Sequence, residues 1–351
     1  MNLKNLIKQP WIHIFLAFPL SAMLLAIVLS RPRGNVNSKN LNSLQTTTVV
    51  PFTSKIPFTT SKVKYKISGP ISLNGISNMT ISCDSINCNN TNVIGIKLTN
   101  CHGIHITYCK IYNSRANGIY LYNCSNITID TCYITKVSTG VNVSTSSRVI
   151  IEHNQMKNMM GPYPSGQFVQ FNKVSGASNK VTNNVFENTM GSSDPEDAIS
   201  MFMTNGTAAS PVMISGNWIR GGGPSATGGG INLGDDGGSY QIAENNILVN
   251  PGQYGIAVSG GTNMEILNNK IYAVRSTFAN VGISVWNQYT NISASSGITV
   301  SGNNVNWTNS GGISNPAWNN GNCGTVTGWS SYTWRANITS SILAATIITL
   351  N

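Results

Sequence analysis

Charged residues are scarce in this 351-residue chain, at 9% of the total, and only 11 residues are acidic. Residues 1–66 contain nine of the 21 lysines and arginines and no acid, which leaves 12 basic and 11 acidic residues for the rest. The formal net charge of +10 therefore belongs to the N-terminal segment. The sequence has no basic stripe with interleaved aromatic residues, so nucleic acid is not an expected partner.

Spacings typical of metal and redox sites are also missing. The seven cysteines form no CxxC pair and no cysteine–histidine zinc pattern. Neither a DxDxDG loop nor a GGxGxD repeat is present for Ca²⁺. Cys83 and Cys88 are close enough in sequence to form a short disulfide loop, whereas Cys323 has no predicted partner.

A short unit of two alternating apolar–polar strands recurs along the chain. In residues 117–134, Ile119 and Leu121 face one way in the first strand and Ile127 and Ile129 in the second. Alternation over so few residues indicates β-strands and not helix. In each copy, one residue lies three places after the last apolar position: Asp84, Cys109, Cys132, Asn154, Asn184, Asn217, Asn245, Asn269 and Asn303.

The spacing of these residues predicts the fold class. Their steps run from 22 to 34 residues, which is typical of a solenoid built from short strands with inserted loops. Coils stacked about 4.8 Å apart let each Asn hydrogen-bond the next, and they place Cys101 over Cys124 and Cys109 over Cys132. We therefore predict an all-β, single-stranded parallel β-helix of about nine to ten coils with an internal Asn/Cys ladder.

Composition predicts four regions: 1–33, a signal anchor or signal peptide; 34–66, an Asn/Ser/Thr-rich stalk and N-terminal cap; 67–310, the β-helix; and 311–351, a C-terminal cap over the last open edge. Trp11–Leu29 is a 19-residue apolar run, long enough to span a bilayer. No small-x-small cleavage site is obvious before Arg31, which favours an uncleaved anchor, and a cleaved signal peptide is the alternative. Both predict an extracytoplasmic solenoid, membrane-anchored or secreted.

Inserted loops indicate which side of the solenoid carries function. They are concentrated in residues 160–290, and loops that swell on consecutive coils build a wall where binding residues gather. Aligned strands place an outward column beside this wall: Gln170, Ser200, Asn232, Ala257 and Ser284. Strand entrances carry Glu196, Asp197 and Tyr254, and strand exits carry Lys173, Asp235, Asp236, Trp286 and Asn287.

These side chains include groups that an enzyme can use for acid–base chemistry. Adjacent carboxylates raise one pKa, which suits general acid catalysis. The candidate catalytic residues are Glu196, Asp197, Asp235, Asp236, Lys173 and Tyr254. The candidate substrate-binding residues are Gln170, Ser200, Arg220, Asn232, Trp286 and Asn287. Six strand positions, roughly 20 Å at 3.3 Å per residue, separate Asp197 from Asp235, so we expect them not to form one catalytic pair.

Over about residues 67–310 the repeats resemble those of the right-handed parallel β-helix superfamily, which includes pectate lyases, polygalacturonases and alginate epimerases. Residues 196–199 are similar to the Asp-Asp-Cys-Ile/Val stretch of polygalacturonases, where the acids perform hydrolysis. Residues 194–197 are similar to the Asp-Pro-His-Asp of alginate epimerases, without the His. Gly228-Gly229-Gly230 stands where polygalacturonases have Gly-His-Gly, and Ala257 and Ser259 stand where they have Arg and Lys. The resemblance implies a right-handed helix and a glycan substrate, with a uronate polymer as one candidate, and leaves lyase, epimerase and hydrolase open.

Other interpretations stay open as well. The acids can be ordinary turn residues, and the chain is then a non-catalytic cell-surface protein that binds glycan or acts as a rigid spacer. Asp235 and Asp236 are also the candidate ligands of a Ca²⁺ ion, although the sequence requires no cofactor. We expect a monomer with polysaccharide and membrane as partners. A trimeric tail-fibre protein is disfavoured by the predicted anchor.

Overall fold

The computed structural model describes residues 63–291, 293–330, 333–334 and 336–348. They belong to one compact unit, Ser54–Asn351. The predicted anchor or signal peptide and residues 34–62 of the predicted stalk lie outside the described residues. Among the residues that are described, no helix is long and apolar enough to cross a membrane. The four predicted regions therefore stay predictions.

Thirty short strands and one 3₁₀ helix, Ser340–Ile342, make up the described secondary structure. The first ten strands are β1 (Lys66–Ser68), β2 (Ile71–Asn74), β3 (Ser77–Ser82), β4 (Asp84–Thr91), β5 (Ile96–Thr99), β6 (His102–Thr107), β7 (Lys110–Ser114), β8 (Ile119–Tyr122), β9 (Ser125–Asp130) and β10 (Tyr133–Val137). The next ten are β11 (Val141–Ser144), β12 (Ser147–Glu152), β13 (Gln155–Met159), β14 (Val169–Asn172), β15 (Lys180–Thr182), β16 (Val185–Glu187), β17 (Ile199–Asn205), β18 (Val212–Ser215), β19 (Trp218–Arg220) and β20 (Ile231–Glu244). The last ten are β21 (Ile247–Val249), β22 (Tyr254–Val258), β23 (Thr262–Leu267), β24 (Lys270–Ala273), β25 (Val281–Val285), β26 (Ile298–Ser301), β27 (Asn304–Trp307), β28 (Ala317–Asn319), β29 (Val326–Thr327) and β30 (Thr333–Trp334).

Each coil contributes one strand to each of three faces, and paired strands run parallel. The first face contains β2, β5, β8, β11, β14, β17, β20, β22, β25 and β28. The second face contains β3, β6, β9, β12, β15, β18, β20, β23, β26 and β29, and β20, which is 14 residues long, joins these two faces into one 19-stranded sheet. The third face is an 11-stranded sheet from β1 to β30. The prediction of a parallel β-helix of about nine to ten coils is confirmed.

A ladder of asparagines runs through the interior of the later coils. Asn154, Asn184, Asn217, Asn246, Asn269 and Asn303 are fully buried. Each Oδ1 accepts a hydrogen bond from the backbone N–H of the preceding ladder residue, at 2.9–3.0 Å. Each Nδ2 donates to a backbone carbonyl of the preceding coil, at 2.8–2.9 Å. The predicted asparagine ladder is therefore present.

Thiols extend this ladder toward the N-terminal coils, as predicted. The Cys109 N–H donates to the Cys132 Sγ at 3.4 Å, and the Cys132 N–H donates to the Asn154 Oδ1 at 3.0 Å. In the second stack, the Cys101 N–H donates to the Cys124 Sγ at 3.4 Å. All seven cysteines are free thiols, so the disulfide considered for Cys83 and Cys88 is not formed.

One ladder residue is assigned wrongly by the sequence pattern. Asn245 is exposed and has a φ of 54°, whereas the neighbouring Asn246 is the ladder member. The sequence pattern takes Ile242 as the last inward residue of this strand. In the structure Ala243 is fully buried and Ile242 is only half-buried, so Ala243 is the inward residue. Counting three places from Ala243 gives Asn246.

The C-terminal segment runs back along the third face. Ala336 hydrogen-bonds Val305, and Leu343 packs on Ile247 and Val249. Ile348 reaches Tyr133 and Val185. At the last coils, Val326, Trp329 and Trp334 pack against the apolar core. The C-terminal region thus contacts both the end and the side of the solenoid.

We expect Asn246→Ala to lower the free energy of unfolding by about 3 kcal/mol or more, measured by urea denaturation. The change leaves the Asn217 N–H and the Ile214 carbonyl without their buried partner, at about 1–3 kcal/mol for each group. Asn245→Gly is the matched control, because its side chain is exposed and glycine suits the φ of 54°. We expect that control to change stability by less than about 0.5 kcal/mol. Equal losses in the two variants would contradict the role of the ladder.

Candidate functional site

The outward side chains of the first face form one column along the solenoid. Pairing between strands places Gln170, Ser200, Asn232, Ala257 and Ser284 in successive coils, as the sequence alignment predicts. The column also continues in both directions beyond these residues. Inserted loops 160–168, 188–198 and 221–230 precede the strands of this face and border the column on its entrance side. We call the column and its bordering loops the cleft.

Asp197 lies at the entrance of β17, and it is 6% exposed. Its Oδ1 accepts hydrogen bonds from the Tyr254 hydroxyl and, at 3.0 Å, from the Gly229 N–H. Its Oδ2 accepts one from the Asn232 Nδ2 at 3.2 Å. Burial raises the pKa of Asp197 to about 8, and the charges of Glu196 and Asp235 add to this rise against the opposing hydrogen bonds. A pKa in this range favours the protonated form of Asp197 at neutral pH.

Glycines make room for this arrangement. A Cβ at Gly229 would lie 2.7 Å from ring atoms of Tyr254, and a Cβ at Gly228 would lie 2.6 Å from the Glu196 backbone. Any side chain at position 229 would therefore displace the ring that donates to Asp197.

Asp235 approaches the cleft from the exit side of the strands. Its Oδ2 accepts a hydrogen bond from the Ser200 Oγ at 3.1 Å, and its Oδ1 accepts one from the Tyr289 hydroxyl. Burial raises the pKa of Asp235, while the bonds from Tyr289 and Ser200 act in the opposite direction. The negative charge of Asp236 raises it further.

The residue count of roughly 20 Å overestimates the distance between the carboxyl groups of Asp197 and Asp235. Asp197 bonds to Asn232 and Asp235 bonds to Ser200, and these two partners are direct neighbours in adjacent strands. The carboxyl groups are therefore separated by on the order of 10 Å, since paired strands lie about 4.8 Å apart. The residue count failed because β20 has an irregular register between its pairings at positions 232 and 235, and because the side chains reach toward one another.

Other polar groups connect the acids across neighbouring coils. The Asn232 Oδ1 accepts a hydrogen bond from the Ser259 Oγ at 2.7 Å, and the Gln288 Nε2 donates to that Oγ at 3.0 Å. Glu196 points into loop 221–230, where Ser225 and Thr227 donate to its two oxygens at 2.5 Å. Burial raises the pKa of Glu196 as well.

Several predicted site residues do not contact these acids through their side chains. Gln170 bonds to the neighbouring Phe171 carbonyl, and Lys173 is exposed, with its backbone N–H bonded to Phe202. Asn287 is bonded within its own loop and to Asn322. Trp286 packs against Trp318.

The possible Ca²⁺ role of Asp235 and Asp236 stays a prediction. Both oxygens of Asp235 accept hydroxyl hydrogen bonds. The Asp236 Oδ1 is buried without a hydrogen-bond partner among the described residues. The described part of the chain contains no group of three or more side chains able to hold a metal ion.

Arg220 is not a cleft residue, which corrects its prediction as a substrate-binding group. It lies on β19 of the third face, and its Nη2 donates to the Ser340 and Leu343 carbonyls at 3.0 and 2.8 Å. A cavity of about 400 Å³ beside it is lined by Glu187 and Phe278 among others. Glu187 pairs with Lys157 at 3.0 Å and accepts the N–H groups of residues 347 and 348. The charged groups of this cavity therefore bind the C-terminal segment of the chain. The cleft is the candidate functional site.

Sequence reasoning missed the hydroxyl donors to the acids. Tyr289 reaches Asp235 by crossing a coil, and Ser225 and Thr227 reach Glu196 from an irregular loop. Period and register give no signal for such contacts. Ser200 and Asn232 were identifiable, because they occupy regular outward positions.

A protein-family comparison matches residues 35–186 and 69–247 to the right handed beta helix region. The chain therefore belongs to the right-handed β-helix family, as the sequence resemblance predicts. No curated protein sequence matches it.

Similar solved structures include the catalytic domain of a GH87 alpha-1,3-glucanase, with 14% identity, TM-score 0.47, and coverage of 77% of this chain and 64% of the glucanase domain. An alginate lyase from Paenibacillus sp. str. FPU-7 has 13% identity and TM-score 0.45, with 78% of this chain and 91% of the lyase covered. The tailspike protein of E. coli bacteriophage HK620 has 11% identity and TM-score 0.38, with 70% of this chain and 50% of the tailspike covered. At these values the likeness concerns the fold and carries nothing about function.

We expect the stability of the protein to fall between about pH 4 and pH 8 through Asp197. Its folded pKa of about 8 lies above its ordinary value, so the stability it contributes is full below about pH 4 and is lost as the pH rises through 8. Asp197→Asn should reduce this slope and be more stable than the wild type at pH 8, measured by urea unfolding from pH 5 to pH 9. Asp194→Asn, an exposed acid on the same loop, is the control and should keep the wild-type slope. An unchanged slope in Asp197→Asn would contradict the raised pKa.

Proposed function

We propose that the chain is a glycoside hydrolase that cleaves a polysaccharide bound along the cleft. The observation that carries this proposal is the approach of Asp197 and Asp235 to the neighbouring residues Asn232 and Ser200. Glycoside hydrolysis uses two carboxyl groups about 5 to 9.5 Å apart, one as an acid and the other as a base or nucleophile. A separation on the order of 10 Å lies near the upper end of this range.

The two carboxyl groups have different hydrogen-bond partners, and we assign them different roles. Asp197, whose pKa is raised to about 8, is the proposed general acid that gives its proton to the glycosidic oxygen as the bond breaks. Asp235 is the proposed base, which takes a proton from the water that attacks the sugar carbon. Ser200 and Tyr289 stabilise its ionised form by donating hydrogen bonds.

Charge around the acids favours a neutral glycan over a uronate polymer. The described residues form ion pairs at Asp130, Glu152 and Glu187, and none involves an acid of the cleft. A uronate would therefore meet carboxyl groups without a basic partner, and like charges repel. Amide side chains such as Asn232 and Gln288 suit the hydroxyl groups of a neutral sugar.

Binding without catalysis is the second candidate function. The observation in its favour is that Asp197 accepts three hydrogen bonds and Asp235 accepts two, so both acids also serve to hold neighbouring coils together. In this case the cleft would retain a glycan without cleaving it.

The location and assembly of the protein remain part of the proposal. We infer an extracytoplasmic monomer, held at a membrane or secreted, from the apolar segment Trp11–Leu29. That segment lies outside the described residues.

We expect the full-length protein to release reducing ends from at least one of dextran, laminarin, xyloglucan, polygalacturonate and alginate. Asp197→Asn and Asp235→Asn should each lower the rate at least about 100-fold, since a positioned acid or base contributes a factor of 10² to 10⁴. Reducing-sugar release and the ultraviolet absorbance of unsaturated uronates are measured together. Reducing ends without absorbance support hydrolysis.

Asp194→Asn serves as the matched control, because this acid is exposed on the same loop and accepts no side-chain bond from the cleft network. It should keep the wild-type rate. Ultraviolet-absorbing products would show that the reaction is elimination and would contradict hydrolysis. Measurable binding of a glycan without any product would support the second candidate function and overturn the first.

A further inference from the structure

Two tryptophans lie where the outward column reaches the C-terminal coils. Trp318 on β28 pairs in register with Ser284, and it is 43% exposed. The ring of Trp286 packs against that of Trp318 in a T-shaped contact, with centroids 5.8 Å apart and 78° between the planes. A partly exposed aromatic ring held in place by a second ring provides an apolar surface with little freedom to move.

The segment that holds the aromatic pair also contacts the acids. Trp286 lies two residues after Ser284. Because side chains two positions apart point to the same side of a strand, both side chains point away from the core. Three residues later, Tyr289 donates its hydroxyl hydrogen bond to Asp235. Gln288 in the same segment donates to Ser259, which bonds Asn232. One short segment therefore joins the aromatic surface to both cleft acids.

We propose that Trp318, supported by Trp286, is a sugar-stacking subsite at the C-terminal end of the cleft. The inference rests on the proposed function and adds the direction and extent of the bound chain. Trp318 lies three coils beyond Asn232, or about 14 Å at 4.8 Å per coil. A glycan cleaved beside Asn232 must therefore extend along the solenoid axis by a few sugar units to reach Trp318.

The subsite makes the effect of a Trp318 variant depend on substrate length. Contacts far from the reacting bond contribute binding energy only to substrates that reach them. We expect Trp318→Ala to lower kcat/KM roughly tenfold for the polysaccharide of the panel that the wild type cleaves fastest. The same variant is also tested on the shortest oligosaccharide of this polymer that the wild type still cleaves. For that substrate, kcat/KM of the variant should stay within about twofold of the wild-type value.

Two further variants separate the subsite from a general loss of structure. Trp318→Phe keeps an aromatic surface and should restore most of the activity on the polymer. Tyr108→Ala removes an aromatic residue that is 42% exposed at a corner between the second and third faces, and it should change neither rate. Binding is measured separately in Asp235→Asn, with and without Trp318→Ala, by native electrophoresis through gels containing the same polysaccharide.

Each outcome has one meaning. A loss confined to the polymer, with weaker retention in the gel, supports the subsite. Equal losses for long and short substrates, or no loss for either, would overturn the subsite while the proposed hydrolase stands. A wild-type protein that neither cleaves nor binds any glycan of the panel would overturn the proposed function and the subsite with it.

Discussion

Hydrogen bonding between successive coils is the constraint on which the rest of the molecule depends. Each buried ladder residue, from Cys109 to Asn303, accepts or donates across the coil boundary, so a coil cannot slip by one residue without losing these bonds. The same register sets the positions of the outer side chains. Ser200 lies beside Asn232 on the outer side of the sheet because Ile199 lies beside Ile231 on the core side. The geometry of the cleft is thus determined from the inside of the solenoid.

Burial away from water is the main cause of the raised pKa values of the cleft acids. Desolvation is the largest cause of the raised pKa of Asp197, Glu196 and Asp235, and the charge of at least one neighbouring acid adds to the rise in each. Hydrogen-bond donors oppose this rise at each acid. Asp197 and Asp235 each accept one of these bonds from a phenol whose own pKa is raised, Tyr254 and Tyr289 respectively.

Periodic features of the structure could be predicted from the sequence, and contacts made by irregular loops could not. The parallel coils, the thiol stacks and the outward column follow from two-residue alternation and a period in the twenties, as Gln170, Ser200 and Asn232 illustrate. The choice between Asn245 and Asn246 failed, because both Ile242 and Ala243 fit an apolar position. The distance predicted between Asp197 and Asp235 was too long for another reason. A residue count includes neither the local change of register nor the direction in which the side chains extend. Arg220 looked like a substrate ligand only because its true partners, residues 340 and 343, lie over a hundred positions away.

The absence of a side chain at Gly229 makes room for a hydrogen-bond donor to the proposed acid. The ring of Tyr254, from the following coil, occupies the volume that a side chain at position 229 would need, and its hydroxyl bonds Asp197. A neutral phenol with a raised pKa thus stands beside the acid, and it carries no positive charge that would pull the proton off Asp197. Because burial is then the dominant influence on that proton, anything that admits water beside Tyr254 should lower the pKa of Asp197. The fit of Tyr254 against Gly229 therefore controls the protonation of the proposed acid, although neither residue needs to touch the substrate.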